Sequence, residues 1–313
     1  MKNILITGIS GYIGTTLAKA LIADPHVEAV VGIDIRHPTI TPKKLKFYRH
    51  DVRKPMAEMM TAHAIDTVVH TAYVLPPLHD KALMESINVE GTRNVLAACA
   101  RAGVGHLLVT SSATAYGFHA DNPIPLTETD PLRGNPDFTY AKNKSEIEAI
   151  LARFAVRNPQ IGVTVLRPCF VMGPNMDNPF SDHLKKPLVV LPKETMPLQF
   201  VHETDLMRAI LHCLKNKHTG IFNIAGEGTL TVAEMIGLMG NRPVWVPIRL
   251  LYPLNQIAWT LRFTFLTRFP SPALGLFHYS WVASPKKFID QTGFVYRYDS
   301  RQAFEDFARQ AGR

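Results

Sequence analysis

The residues that most limit what this chain can fold into are its first fourteen, MKNILITGISGYIG. Asn3 to Thr7 is a short β-branched run suited to a buried parallel strand. Gly8, Gly11 and Gly14 follow at three-residue spacing, and an apolar stretch of helical period runs from Tyr12 to Ala23. A strand turning through glycines into a helix collects free backbone N–H groups and the positive helix end on one spot. That geometry binds a diphosphate without side-chain charge, and the glycines let the backbone approach it. A second apolar run, Ala29 to Asp34, ends in an acid twenty residues beyond Gly14, about where a dinucleotide fold places a carboxylate on the adenosine ribose.

The pattern then repeats. Strands are predicted at Lys46–His50, Asp66–His70, His106–Thr110 and Gly162–Leu166, with helices at Pro55–His63, Asp80–Ala102 and about Phe138–Arg157. Strands alternating with helices at this spacing predict an α/β fold with a doubly wound parallel sheet, and a ligand across the carboxyl ends of its strands. Residues 1–167 read as the cofactor domain, with 200–225 returning to it. Residues 168–199 and 226–313 read as a smaller, partly interleaved substrate domain.

Composition narrows the class. Apolar residues are 46% and charged residues 19%, which excludes a disordered chain. The net charge is +8, but no block of five or six basic residues exists, so nucleic-acid binding is disfavoured. Three dispersed cysteines read as reduced, packed thiols, and no metal-binding spacing occurs. The start resembles a signal peptide only superficially, since glycines break it after Thr7, and no run of eighteen apolar residues is present. A cytoplasmic location is the default expectation.

The chemistry is expected at Tyr140 and Lys144, four apart and therefore on one helix face. A free phenol has a pKa of about 10, and a nearby ammonium with an oxidised nicotinamide ring would favour the phenolate. Ser112, at a strand end, could hydrogen-bond the same substrate oxygen while Tyr140 takes the alcohol proton and hydride leaves carbon.

These residues resemble the extended short-chain dehydrogenase/reductases of the NAD-dependent epimerase/dehydratase superfamily. The resemblance rests on Thr7-Gly8-x-x-Gly11-x-x-Gly14, Asp34, Asp51-Val52, His70-Thr-Ala72, Asn88-Val-Glu-Gly-Thr92 and Ser111-Ser-Ala-Thr-Ala-Tyr-Gly117. Tyr140-x-x-x-Lys144, Leu166-Arg-Pro168, Phe200-Val-His-Glu-Thr-Asp205 and Phe222-Asn-Ile-Ala225 continue it nearly to the end of the chain. It implies a Rossmann-type sheet in which Gly8, Gly11, Tyr12, Ile13 and Gly14 hold the pyrophosphate and Asp34 the adenosine ribose. Asp51 and Val52 would border the adenine, and Thr71, Ala72 and Tyr73 the middle of the cofactor. Lys144 would bind the nicotinamide ribose as well as tune Tyr140, and Pro168 would touch the nicotinamide end. Asn88 is expected to fix the backbone of its own helix. NAD is preferred over NADP, because Asp34 would repel a 2′-phosphate, although Arg36 could meet one. A homodimer through the helices near Asn88–Ala102 and Tyr140–Arg157 is implied by resemblance alone.

Departures from the sugar-nucleotide pattern guide the substrate reading. Phe170 stands where nucleotide-sugar epimerases carry an Asn, Leu198-Gln199 where they carry Arg-Asp, and Ala113-Thr114 where dehydratases carry Asp-Glu. With Tyr73, Val74, Leu75, Phe118, Phe170 and Met172 as pocket walls, the reading is an NAD-dependent oxidoreductase of a lipophilic secondary alcohol or ketone. A nucleotide-sugar epimerase is the alternative. A non-catalytic dinucleotide sensor is the third reading, disfavoured because Ser112, Tyr140 and Lys144 are all kept. Val244 to Phe269, apolar with interspersed arginines, could lie on a membrane, but its two prolines weigh against a long helix and that contact is not favoured.

Overall fold

The computed structural model describes residues 1–40, 42–176 and 179–311; residues 177, 178, 312 and 313 of the expected substrate domain lie outside them. In chain order the elements are β1 (Asn3–Thr7), α1 (Tyr12–Ala23), β2 (Ala29–Asp34), β3 (Leu45–Arg49), α2 (Ala57–Ala62), β4 (Thr67–His70), α3 (Lys81–Glu85), α4 (Gly91–Ala102) and β5 (His106–Thr110). They continue as α5 (Thr139–Arg157), β6 (Gly162–Pro168), β7 (Phe170–Met172), α6 (Pro179–Leu184), β8 (Leu188–Pro192), β9 (Phe200–His202), α7 (Glu203–Asn216) and β10 (Gly220–Ile224). The chain closes through α8 (Val232–Met239), β11 (Arg242–Val246), α9 (Ile248–Thr260), α10 (Gly275–His278), α11 (Lys286–Thr292) and α12 (Ser300–Ala311).

Two compact units result. The first comprises residues 1–111, 146–167 and 207–222, and the second residues 112–145, 168–206 and 223–313. Residues 112–145, grouped with the first domain on sequence grounds, thus fold with the second unit.

The first unit is built on a seven-stranded sheet in the order β10-β6-β5-β4-β1-β2-β3, a doubly wound Rossmann-type arrangement. Pairing is parallel from β3 to β6, with Thr7 level with His70 on one side and Ile33 on the other. The strand order reverses between β1 and β4, which is where such sheets open a crevice. Leu5, Val31, Val68, Leu107 and Val165 from the strands bury against Val95, Cys99, Ile147 and Leu151 from the helices. Continuous apolar strands are what a sheet covered on both faces requires.

The expected helix over Asp80–Ala102 is interrupted. Ser86–Glu90 forms a π-helical turn between α3 and α4, and inside it Asn88 is fully buried. Asn88 does not brace its own helix: its Oδ1 accepts from Val74 N at 2.8 Å and its Nδ2 donates to Val74 O, fixing the segment that leaves β4. In the second unit β7 pairs with β9 and β8 with β11, both parallel, around Phe200, Phe304, Phe307, Met235 and Leu230. The prolines expected to interrupt Val244–Phe269 do not prevent a helix. Pro247 is the N-cap of α9, and Pro253 is carried inside it.

Candidate active site

In the first unit the turn after β1 has the shape its glycines predict. Gly8 is left-handed at φ 73°, and a Cβ there would stand 2.7 Å from the backbone of Ala72. A Cβ on Gly14 would lie 2.3 Å from the Gly8 carbonyl oxygen. Gly11 is the N-cap of α1 in extended conformation with no side-chain cap, and the first turn of that helix carries no acid. The leading amides at Tyr12, Ile13 and Gly14 therefore face an unneutralised helix end, the arrangement that receives an anion. These residues fit a dinucleotide diphosphate.

Asp34 ends β2 beside this turn. Its Oδ2 accepts from Ser10 N at 3.1 Å and its Oδ1 from Arg36 N at 3.0 Å, so two amides aim the carboxylate. The Arg36 guanidinium is exposed and stands 3.9 Å away. Thr71 and Ala72 are locked to the end of β1, with Thr71 Oγ1 donating to Thr7 O and Ala72 N to Thr7 Oγ1. Behind them, buried His70 lies between Thr7 Oγ1 at 2.7 Å and Thr92 Oγ1 at 3.0 Å. Because Thr92 gives its own proton to Asn88 O, His70 Nε2 is the donor to Thr92, and Nδ1 accepts from Thr7. The His-Thr-Ala motif thus holds the β1 and β4 ends in register. Asp51 is clamped by Arg53 at 2.6 Å, which holds its carboxyl below the usual range. Val52 is buried against Gly91, and Tyr73 is half-buried on the core.

In the second unit Ser112 caps a 3₁₀ turn, Ala113–Tyr116, and its Oγ accepts from Thr114 N at 3.2 Å and Thr114 Oγ1 at 3.0 Å. The hydroxyl of Tyr140 is hydrogen-bonded to both Ser112 and Thr114. Thr114 joins the expected site residues here, and its place two after the strand-end Ser112 is the only sequence signal for it. Lys144 is buried with Nζ 5.8 Å from the centre of the Tyr140 ring. Burial pushes the Tyr140 phenol above its ordinary value, and the Ser112 and Thr114 hydrogen bonds offset this only partly. Lys144 is not among the groups that shift this phenol, and the expected lowering joins its ammonium to an oxidised nicotinamide ring. One turn on from Tyr140, Asn143 is fully buried, and its amide finds no hydrogen-bond partner among the described residues.

Pro168 ends β6, buried. Of the residues expected to wall a greasy pocket, Phe118 and Met172 are buried, Tyr73, Val74 and Phe170 are half-buried, and Leu75 is exposed. Phe170 stacks on Phe180 at 4.6 Å and meets Trp281 edge-on at 4.9 Å, Phe118 packs on Trp281 and Phe138, and Met172 is fully buried. Gln199 is held at both ends: Nε2 donates to Gly226 O and Ala283 O, and Oε1 accepts from Ala283 N. A cleft of about 440 Å³ does open in this unit, lined by Phe118, Asn135, Asp137, Arg249, Tyr252 and Tyr279 among others. No cluster of potential metal ligands occurs among the described residues.

The fold recurs in a solved structure of MoeE5 in complex with UDP-glucuronic acid and NAD, with TM-score 0.77 and 24% identity over 98% of each chain. An uncharacterized protein of Mycobacterium tuberculosis strain H37Rv is 28% identical over 99% of this chain and 84% of its own length. The N-acetyl-alpha-D-glucosaminyl-diphospho-ditrans,octacis-undecaprenol 4-epimerase of Escherichia coli O157:H7 is 27% identical over 75% of this chain and 70% of its own. The model of the NAD-dependent epimerase/dehydratase family matches residues 4–225, a span that holds the glycine turn, the aimed Asp34 and the Ser112–Thr114–Tyr140 cluster. With family model and fold in agreement, the chain belongs to the NAD-dependent epimerase/dehydratase family.

Proposed function

We propose that this protein is an NAD-dependent epimerase acting at a hydroxyl-bearing carbon of a sugar carried on a diphosphate. The observation that carries the reading is the hydroxyl cluster of Ser112, Thr114 and Tyr140 with Lys144 buried beside it. Support also comes from the 4-epimerase likeness. Bound at the glycine turn, NAD supplies a hydride acceptor that can return the hydride to carbon. The chain's own residues handle the proton. Tyr140 Oη, as phenolate, takes the hydroxyl proton of the substrate as the carbon becomes a carbonyl, and gives it back on reduction. Ser112 donates to the oxygen that gains charge, Thr114 Oγ1 turning its own proton on Ser112 Oγ, and Lys144 favours the phenolate electrostatically. Inversion then requires only that the ketosugar turn over before the hydride returns.

A second reading, dehydrogenation of a lipophilic alcohol, has one specific observation in its favour. Phe170 and Gln199 are committed to internal contacts, so neither position offers a cation or a free donor to a diphosphate. The experiment that separates the two incubates purified protein and NAD with UDP-sugars, a polyprenyl-diphosphate sugar and a panel of hydroxysteroid and terpenoid alcohols. Inverted sugar by NMR without net reduced cofactor is the expected outcome. Stoichiometric reduced cofactor from an alcohol, with every sugar unchanged, overturns the epimerase reading.

A further inference from the structure

Helix α9 is built inside out. Its polar side chains are spent inward: Asn255 Nδ2 donates to Phe269 O and Ser271 Oγ, and Gln256 Oε1 accepts from Ser271 N. Leu251 and Ala258, seven apart, are its buried apolar residues. Leu250, Leu254, Ile257 and Leu261, spaced 4, 3 and 4, form one stripe on the helix and its C-cap, and each is more than half exposed. The following turn adds Phe265 at 73% exposed and Leu266 at 55%. Scattered apolar residues on a surface are ordinary, but a continuous stripe is not.

Charge says what covers it. From Met235 to Ile289, fifty-five residues, the chain has no Asp or Glu and carries Arg242, Arg249, Arg262, Arg268, Lys286 and Lys287. That segment holds six of the eight net positive charges. Arg249 and Arg262 are exposed within the apolar stretch, and neither is ion-paired among the described residues. Lys186 Nζ reaches the Phe265 carbonyl at the same place. Of the acids that approach from other elements, Asp182 pairs with Arg268 and Glu194 receives the first amide of α9, while Asp137 lies at the start of the helix beside Arg249 and Tyr252. A second copy is a poor cover, because two-fold pairing of this face would bring the arginines of both copies together with no acid near Arg262 and only Asp137 near Arg249. An apolar stripe edged by unpaired arginines fits acyl chains below and phosphate groups above.

We infer that α9 and the turn to Leu266 dock this protein on an anionic bilayer surface, lying in the interface rather than crossing it. No helix among the described residues is long and apolar enough to span. The inference does not depend on which substrate the site takes.

Co-sedimentation of the full chain with vesicles tests it, using phosphatidylcholine alone and phosphatidylcholine mixed with phosphatidylglycerol. Binding is expected to the mixed vesicles and to weaken as salt rises. The triple variant Leu254→Gln/Ile257→Gln/Leu261→Gln is expected to lose about tenfold or more of that binding with its thermal midpoint unchanged, since the three side chains are exposed. Arg262→Gln should weaken binding to the mixed vesicles only. Absence of partitioning into either vesicle overturns the inference. So does retention of binding by the triple variant. Sedimentation velocity supplies the remaining outcome: if the triple variant changes the association state while vesicles go unbound, another copy covers the face and the inference fails.

Discussion

At the scale of single residues, Tyr140 is held between two opposing effects. Burial raises its phenol, and the Ser112 and Thr114 hydrogen bonds lower it less than burial raises it. Oxidation needs the phenolate, whose fraction grows with pH up to a raised pKa. The rate of the oxidative half-reaction, measured under single turnover, is therefore expected to climb through the alkaline range rather than level off near neutrality. Tyr140→Phe should remove that limb and lower the rate by about 10²-fold or more while NAD affinity stays within a few-fold. A Phe variant with an unchanged pH profile would take Tyr140 out of the proton path. Asp34 invites a separate test. Its carboxylate is aimed by the Ser10 and Arg36 amides, with the Arg36 guanidinium left outside. Asp34→Ala is expected to weaken NAD more than NADP in direct titration, and an unchanged preference would transfer the discrimination to Arg36.

At the scale of elements, a buried ion pair joins the sheet to α5. Glu148 and Arg167 meet at 2.6 Å with both side chains almost fully buried, and Ser111 Oγ donates to Glu148 Oε1 at 2.5 Å. One side chain comes from α5, one from β6 and one from the end of β5. Glu148→Gln leaves the guanidinium buried without its charge partner, so a loss of about 3–5 kcal/mol is expected in urea unfolding. A loss under about 1 kcal/mol would mean that water reaches Arg167. The strands that meet here were legible in the sequence, because strands buried on both faces must be written as apolar runs and the glycine turn fixes where the first one ends. The π-helical turn at Ser86–Glu90 was not, since one extra residue in a turn leaves helical periodicity almost intact. The three-residue strands β7 and β9 are too short to carry an alternation. Phe170 showed a related blindness: an aromatic in a predicted pocket wall and an aromatic in a core stack are spelled alike. So are the covered and uncovered faces of α9, where periodicity marks an apolar stripe and says nothing of what lies against it.

At the scale of the whole molecule, two compact units share one chain, with the glycine turn in the first and Tyr140 in the second. Folding of such a chain need not be a single transition, and a ligand that binds one unit reports which transition belongs to it. NAD at a hundredfold excess over its Kd adds about 2.7 kcal/mol to the stability of whatever it binds. For a unit of this size that is a rise of roughly 5–10 °C in the midpoint. The rise is expected in the wild-type protein and to shrink sharply in Asp34→Ala, whose loss leaves the apolar core of the first unit intact. Gly14→Ala should behave differently, because its Cβ would enter the Gly8 carbonyl and the turn must open to admit it. That variant is expected to start from a lower midpoint without ligand and to gain nothing from NAD. Scanning calorimetry on the three proteins, with and without NAD, separates a lost ligand contact from a distorted turn. An undiminished NAD shift in Gly14→Ala would show that the cofactor is not held by the amides at the head of α1.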